Sequence, residues 1–366
     1  MIRTMKTILW TLAALVAIDL CAALVLAGPA PQGLRNFFEY GRSVPGKIAQ
    51  WEADPDVPGN LLGVAWLPEM MAESARTAVD RQKNDGPVLH AYSMSFVDRI
   101  VRGAQDARPG LRVEIRSGPG ASPNFTYAAF LQDRSNRRPG DVAVLGILSS
   151  SVSAMGSLTN ATWVFEQPAP FTYPIFRPDA SDGLTAEMPV LQSLAEQLTL
   201  DDNPDLARRW HTQLAAQDLI YTPAAFDLPW LDASPFVRLV RRALAQGGVD
   251  QRKARIVAHP EDGPMPYAEV LRRMIMTFDR IARDDGQIPI VVLVQSNRPG
   301  DPDLKALLGD FLDSHGYHYF ATADHQNPRD PRAFEPDGHY RPAVDSRFGI
   351  LFLDVLDRAS GGIAAQ

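Results

Sequence analysis

The stretch "RPGDVAVLGILSS", residues 138–150, carries no charge from Val142 to Leu148 and is preceded by Pro139 and Gly140. An amphipathic helix would bring polar residues back every third or fourth position, and a half-exposed strand would alternate. A short unbroken apolar run behind turn residues reads instead as a strand buried on both faces. Strands of that kind occur in parallel sheets covered by helices.

Working outward, the same signature recurs. "PVLHAY" (87–92) and "LRVEIRS" (111–117) read as strands before it, and "IPIVVLVQS" (288–296) and "YHYFATA" (317–323) as strands after it. Helical segments separate them. "FVDRIVRGAQDA" puts Phe96, Ile100 and Val101 on one face, and "GPGASPNFTYAAFLQD" is a glycine loop leading into a helix. "YAEVLRRMIMTFDRIARDD" (267–285) aligns Val270, Leu271, Met274, Phe278 and Ile281. "DPDLKALLGDFLDSHG" reads as a helix capped by Asp301 with Pro302 at its first position. Residues 185–250 read as mainly helical, interrupted by "YTPAAFDLPWLDASP". Strands alternating with helices predict an α/β domain over residues 87–358, with a five-stranded parallel sheet of order 2-1-3-4-5, helices on both faces and a short tail at 359–366.

Upstream, Arg3 and Lys6 precede "TILWTLAALVAIDLCAALVLAG" (7–28), whose only charge is Asp19. About 20 apolar residues span a bilayer, and the basic flank predicts a cytoplasmic N-terminus. Residues 1–28 therefore read as a transmembrane anchor of single-pass type, with the rest of the chain outside the cytoplasm, in a bacterium the periplasm. A cleaved signal peptide is the rival reading, although its apolar core is usually shorter. Residues 29–86, including "FFEYGRSVPGKIAQWE" and the short helix of "WLPEMMAESARTAVDRQ", read as a membrane-proximal segment.

The 366 residues carry a net charge of -7 with no basic tail, which argues against a nucleic-acid partner. The single cysteine, Cys21, lies in the apolar run, so the sequence offers neither a disulfide framework nor a thiolate metal site. No cofactor is implied.

In open parallel sheets the site lies at the carboxyl ends of the strands. There the chain places Ser93 and Ser95 in "AYSMSFVDRI", Gly118 and Gly120 in "SGPGAS", Ser149, Ser150 and Ser151 in "GILSSSVSAMGS", and Asp337 and His339 in "EPDGHYRP". A hydroxyl at a strand-to-helix turn, glycine amides and an Asp–His pair are the parts of a serine nucleophile site. Each has a plain alternative: an N-capping serine, a turn glycine, a solvated serine loop. His90 reads as a core histidine. His315, His318 and His325 with Asp324 straddle a strand and read poorly as a metal cluster.

In order and context residues 86–358 resemble the SGNH, or GDSL-type, hydrolase superfamily, with its three-layer, flavodoxin-like sheet. The resemblance implies Ser95 of "SMSF" as nucleophile, with Ser93 as alternative, and the Gly120 amide as an oxyanion donor. It implies His339 as base and Asp337 as its partner, with Glu335 in reserve. The D-x-H spacing resembles the branch acting on bacterial exopolysaccharides. The family asparagine after the third strand is absent. "ILSSS" stands in its place, which makes Ser150, or Ser149 or Ser151, the substitute donor, unless Asn124 or Asn160 folds back. The implied function is a membrane-anchored esterase or acyltransferase acting on acyl, above all O-acetyl, esters of a cell-envelope or secreted polysaccharide, with envelope or polysaccharide-export partners. The alternative is an inactive relative that binds polysaccharide or an assembly partner.

Overall fold

The computed structural model describes residues 2–27, 51, 53–55, 61–81, 86–163, 169–223 and 229–361. Most of "FFEYGRSVPGKIAQWE" and the end of the C-terminal tail lie outside these residues.

Helix α1 (Ile2–Ala27) comes first and is the one described helix long and apolar enough to cross a membrane. Helix α2 (Leu67–Asp80) leads to the α/β body. Five parallel strands form its sheet: β1 (Val88–Ser93), β2 (Arg112–Ser117), β3 (Val142–Leu148), β6 (Ile288–Val294) and β7 (Tyr319–Ala321), in the order β2-β1-β3-β6-β7. This is the 2-1-3-4-5 order expected, counted over the sheet's own strands. Every residue of β1 and β3 is buried, whereas β2, at the edge, is mostly half-buried. Burial on both faces is why those two strands read as apolar runs.

Helices α3 (Ser95–Ala107) and α9 (Pro342–Ala359) pack together over one face. Helices α4 (Pro123–Gln132) and α7 (Tyr267–Asp284) cover the other, with α8 (Leu304–Ser314) beside α7. All five apolar residues aligned on α7 are buried. Helices α5 (Pro204–Gln217) and α6 (Pro235–Val257) lie in the long insertion between β3 and β6.

Two contacts without side chains set the closest packing. A Cβ on Gly349 of α9 would lie 2.3 Å from the backbone carbon of Gly103 on α3. A Cβ on Gly146 of β3 would lie 2.9 Å from Val97 of α3 and 3.3 Å from the Tyr92 carbonyl. Glycine is required at both because the neighbour is, or is backed by, backbone that cannot move aside.

Several local expectations need correction. β3 ends at Leu148, because Ser149–Gly156 winds into a 3-10 turn. β7 is shortened to three residues by a similar turn at Thr322–Asp324. Asp303, not Asp301, caps α8, accepting from the Ala306 amide at 3.0 Å, while Asp301 accepts from the Ser296 hydroxyl. The largely helical stretch begins later than expected. β4 (Ile175–Pro178) and β5 (Leu184–Glu187) form an antiparallel hairpin whose turn is closed by Asp179 Oδ1, which accepts from the Ser181 and Gly183 amides at 2.8 Å. An aspartate bonding its own loop is an ordinary turn signal, and "PDASDG" carried it.

Candidate functional site

β1 delivers the chain to the carboxyl edge at Ser93, and α3 starts two residues later. Met94 occupies the N-cap position in extended conformation, and no side chain caps the helix. The first-turn amides, that of Ser95 included, therefore have no intrahelical acceptor and lie at the positive end of the helix dipole. Ser95 is half-buried and Ser93 is fully buried. The Ser93 hydroxyl donates to Asp98 of the same helix, so Ser93 is engaged below the surface and is not available as a nucleophile.

The other half of the pair comes from 244 residues away. Ser95 Oγ lies 2.7 Å from His339 Nε2. His339 Nδ1 lies 3.0 Å from Asp337 Oδ2, and the His339 amide donates to Asp337 Oδ1 at 3.0 Å. The three residues thus stand in line: hydroxyl, imidazole, carboxylate. Gly338 at φ +91 allows the two-residue spacing to close on itself. Burial tends to raise Asp337, but the His339 amide, the ring N–H and the Arg99 charge outweigh it and hold the carboxyl below its ordinary value. The Asp337 side chain is 59% exposed, so water screens part of its effect on the ring.

The imidazole rests on a shelf. Phe96 stacks against it with ring centroids 4.5 Å apart and planes at 27°. The loop below is pinned at several points. Phe334 pairs with Tyr340 across its base, and the Glu335 amide donates to the His339 carbonyl at 2.7 Å. Arg99, one turn after Ser95 on α3, reaches Glu335 at 3.0 Å and the Tyr340 carbonyl at 3.3 Å. Glu335, the reserve acid, is occupied by Arg99. The Tyr340 hydroxyl is bonded to the Gln295 carbonyl beyond β6, and burial pushes it up to about 12. Asp345 lies 3.7 Å from Arg99 with its other oxygen unpartnered. Burial pushes Asp345 up to about 7, with Arg99 pulling it down and Glu335 adding to the rise.

Sequence reasoning missed Phe96, Arg99 and Asp345. A usable signal was present for two of them. Ser95 and Arg99 are four apart on one helix face, and Phe96 follows the serine directly.

Gly120 sits in the loop after β2 at φ +59, and its amide has no protein partner among the described residues. The loop is tied to the end of β1 by the Gly118 amide, which donates to the Ser93 carbonyl at 3.3 Å. Of the serine run, Ser149 accepts from the Ser296 amide at 2.9 Å and Ser151 donates to the Leu148 carbonyl at 3.1 Å. Both are buried. Ser150 is half-buried and makes no such bond. Asn124 is buried and donates to the Met155 carbonyl at 2.9 Å. Asn160 donates its side-chain amide to the Pro119 carbonyl at 3.1 Å, so it braces the Gly120 loop.

His90 is buried beside Asp141. His315 stacks on Tyr317 and His325 on Phe320. Among the described residues no group of three or more His, Cys, Asp or Glu is placed to hold a metal ion. Comparison of the chain with family models, with curated proteins and with solved structures gives no match.

Proposed function

We propose that this protein is a serine esterase or acyltransferase of the SGNH type, held to the membrane by α1, that acts on O-acyl groups of an envelope or secreted polysaccharide. The observation that carries the reading is the Ser95–His339–Asp337 line at 2.7 and 3.0 Å, at the carboxyl edge of a parallel sheet. Three groups with ordinary structural uses would each be satisfied elsewhere; here they face one another.

The chemistry is acyl transfer. His339 Nε2 takes the proton from Ser95 Oγ as the oxygen bonds to the ester carbonyl carbon. Asp337 keeps the Nδ1 proton on the side away from serine and balances the imidazolium charge. The Ser95 and Gly120 amides, with the Ser150 hydroxyl, are the donors this reading assigns to the developing oxyanion. The imidazolium returns its proton to the departing sugar oxygen. Water or a second sugar hydroxyl then attacks the acyl-enzyme with His339 again as base.

A fluorophosphonate probe tests this. It should label the purified full-length protein, and Ser95→Ala should abolish labelling while Ser93→Ala retains it. An unlabelled, folded wild type would remove the catalytic reading and favour a polysaccharide-binding relative.

A further inference from the structure

Helix α6 is buried along one face and apolar on the opposite one. Arg238, Ala245, Val249 and Ile256 are buried and recur at intervals that return to one side of the helix. Phe236, Val240 and Leu244 lie on the other side and are 41%, 43% and 71% exposed. Trp230, in the turn just before the helix, is 69% exposed. A helix that only covered a protein core would be polar on its outer face. Beyond Leu244 the outer face does become so, with Gly247 and Gln251.

The apolar half is tied to α1. Asp19 accepts from the Ser234 hydroxyl at 2.6 Å and from the Phe236 amide at 2.9 Å, so it completes the N-terminus of α6 from another helix. The two helices pack against each other, and Ala22 and Ala23 beside Asp19 are half-buried. About 9 Å of helix separates Asp19 from Val25, the outer end of the apolar span, at 1.5 Å per residue. In a hydrocarbon core about 30 Å thick, Asp19 therefore stands in the outer leaflet, and so does the start of α6.

We propose that Trp230 and the outer face of α6 are a membrane-seating element, buried in the outer leaflet of the lipid bilayer that α1 spans. The inference rests on reading α1 as a membrane span. The occupant is lipid because the face continues from the span itself and is fixed to it by Asp19. Its composition is that of an interfacial helix: an aromatic at the edge, apolar residues on one side and arginines along the same turns. An aspartate in an apolar span is costly unless partnered, and capping α6 is the use made of it here. The seated helix also packs against the Ser149–Gly156 turn that carries Ser150. The edge of the proposed catalytic cleft is thereby held close to the bilayer, which suits an acyl donor or acceptor delivered at the membrane face.

Nitroxide labels on single cysteines in full-length Cys21→Ser protein, reconstituted in phosphatidylcholine–phosphatidylglycerol vesicles, test the proposal. Labels at Leu12→Cys, Val240→Cys and Leu244→Cys should collide with oxygen and be about tenfold less accessible to a nickel chelate than a label at Asp310→Cys. Nickel access at 240 and 244 with protection at 12 would overturn the seating and leave the anchor. Access at all three would remove the anchor reading as well. Protection at 244 from both reagents, with dipolar broadening between labels, would assign the face to a second copy and overturn the proposal.

Discussion

At the amino end of the sheet Asp141 and His90 stand 3.2 Å apart, and at the carboxyl end Asp337 and His339 stand 3.0 Å apart. The residue types and the distances are alike; the surroundings are not. Asp141 also takes two bonds from Arg81, at 2.7 and 2.5 Å, and the Val88 and Arg138 amides at 3.0 and 2.8 Å. Burial pushes that carboxyl up, but Arg81, His90 and the two amides overcome it and hold it far below the usual range. Its oxygens are saturated, and the pair ties the starts of β1 and β3 to the chain leaving α2. Among the described residues Asp337 bonds only to His339's amide and ring, and the second ring nitrogen faces the hydroxyl of the half-buried Ser95. The first pair is thus a clamp, its carboxylate saturated by the fold, whereas the second keeps its imidazole within reach of a hydroxyl.

The sharpest way to break the comparison is to remove each histidine or acid in turn. His339→Ala should lower turnover of a model acetyl ester by about 10⁴-fold or more with little change in melting temperature. Asp141→Ala should do the reverse. Stranding Arg81 in a buried site should cost about 3–5 kcal/mol of stability, read by urea unfolding, while activity per folded molecule stays. Asp337→Asn should cost about 10²-fold in kcat, less than for a buried triad acid, because the exposed carboxylate is screened. Equal losses of stability from Asp141→Ala and Asp337→Asn would erase the distinction.

The smallest effect concerns pH. Asp345 titrates near 7 in the fold against 3.8 for the free group. Between those values the native state keeps a proton that the unfolded chain has lost. Its contribution to stability is therefore full below about pH 4, declines as pH rises and is lost above 7. Between pH 5 and 8 the decline should be about 2 kcal/mol, and Asp345→Asn should flatten it. An unchanged slope in the variant would remove Asp345 as its source.

The sheet was legible because β3 and β6 are buried on both faces and write unbroken apolar runs, and β1 nearly so, broken by His90. The hairpin β4–β5 was not, because its four-residue strands are partly exposed and too short to show a period. At the site, position at the carboxyl edge brought up Ser93, Ser95, Asp337 and His339 together, and only the family resemblance preferred Ser95 to Ser93. Asp345 was not legible, since a charge on an amphipathic helix looks solvated until the packing of α3 on α9 fixes what faces it. Asp19 is the only charge of the apolar run, and nothing local in the sequence marks its partner, which lies 215 residues away.

The bare crossing of Gly103 and Gly349 has a consequence in time. Ser95 is made early and His339 late, and the helix that brings the histidine loop into place is the last long element of the chain. Until α9 has docked on α3, the serine has no base. On the proposed catalytic reading, the emerging polypeptide is therefore chemically silent until α9 closes against α3. A side chain at position 349 would delay or misalign that last event, and would be felt first as slow maturation of activity in newly made protein.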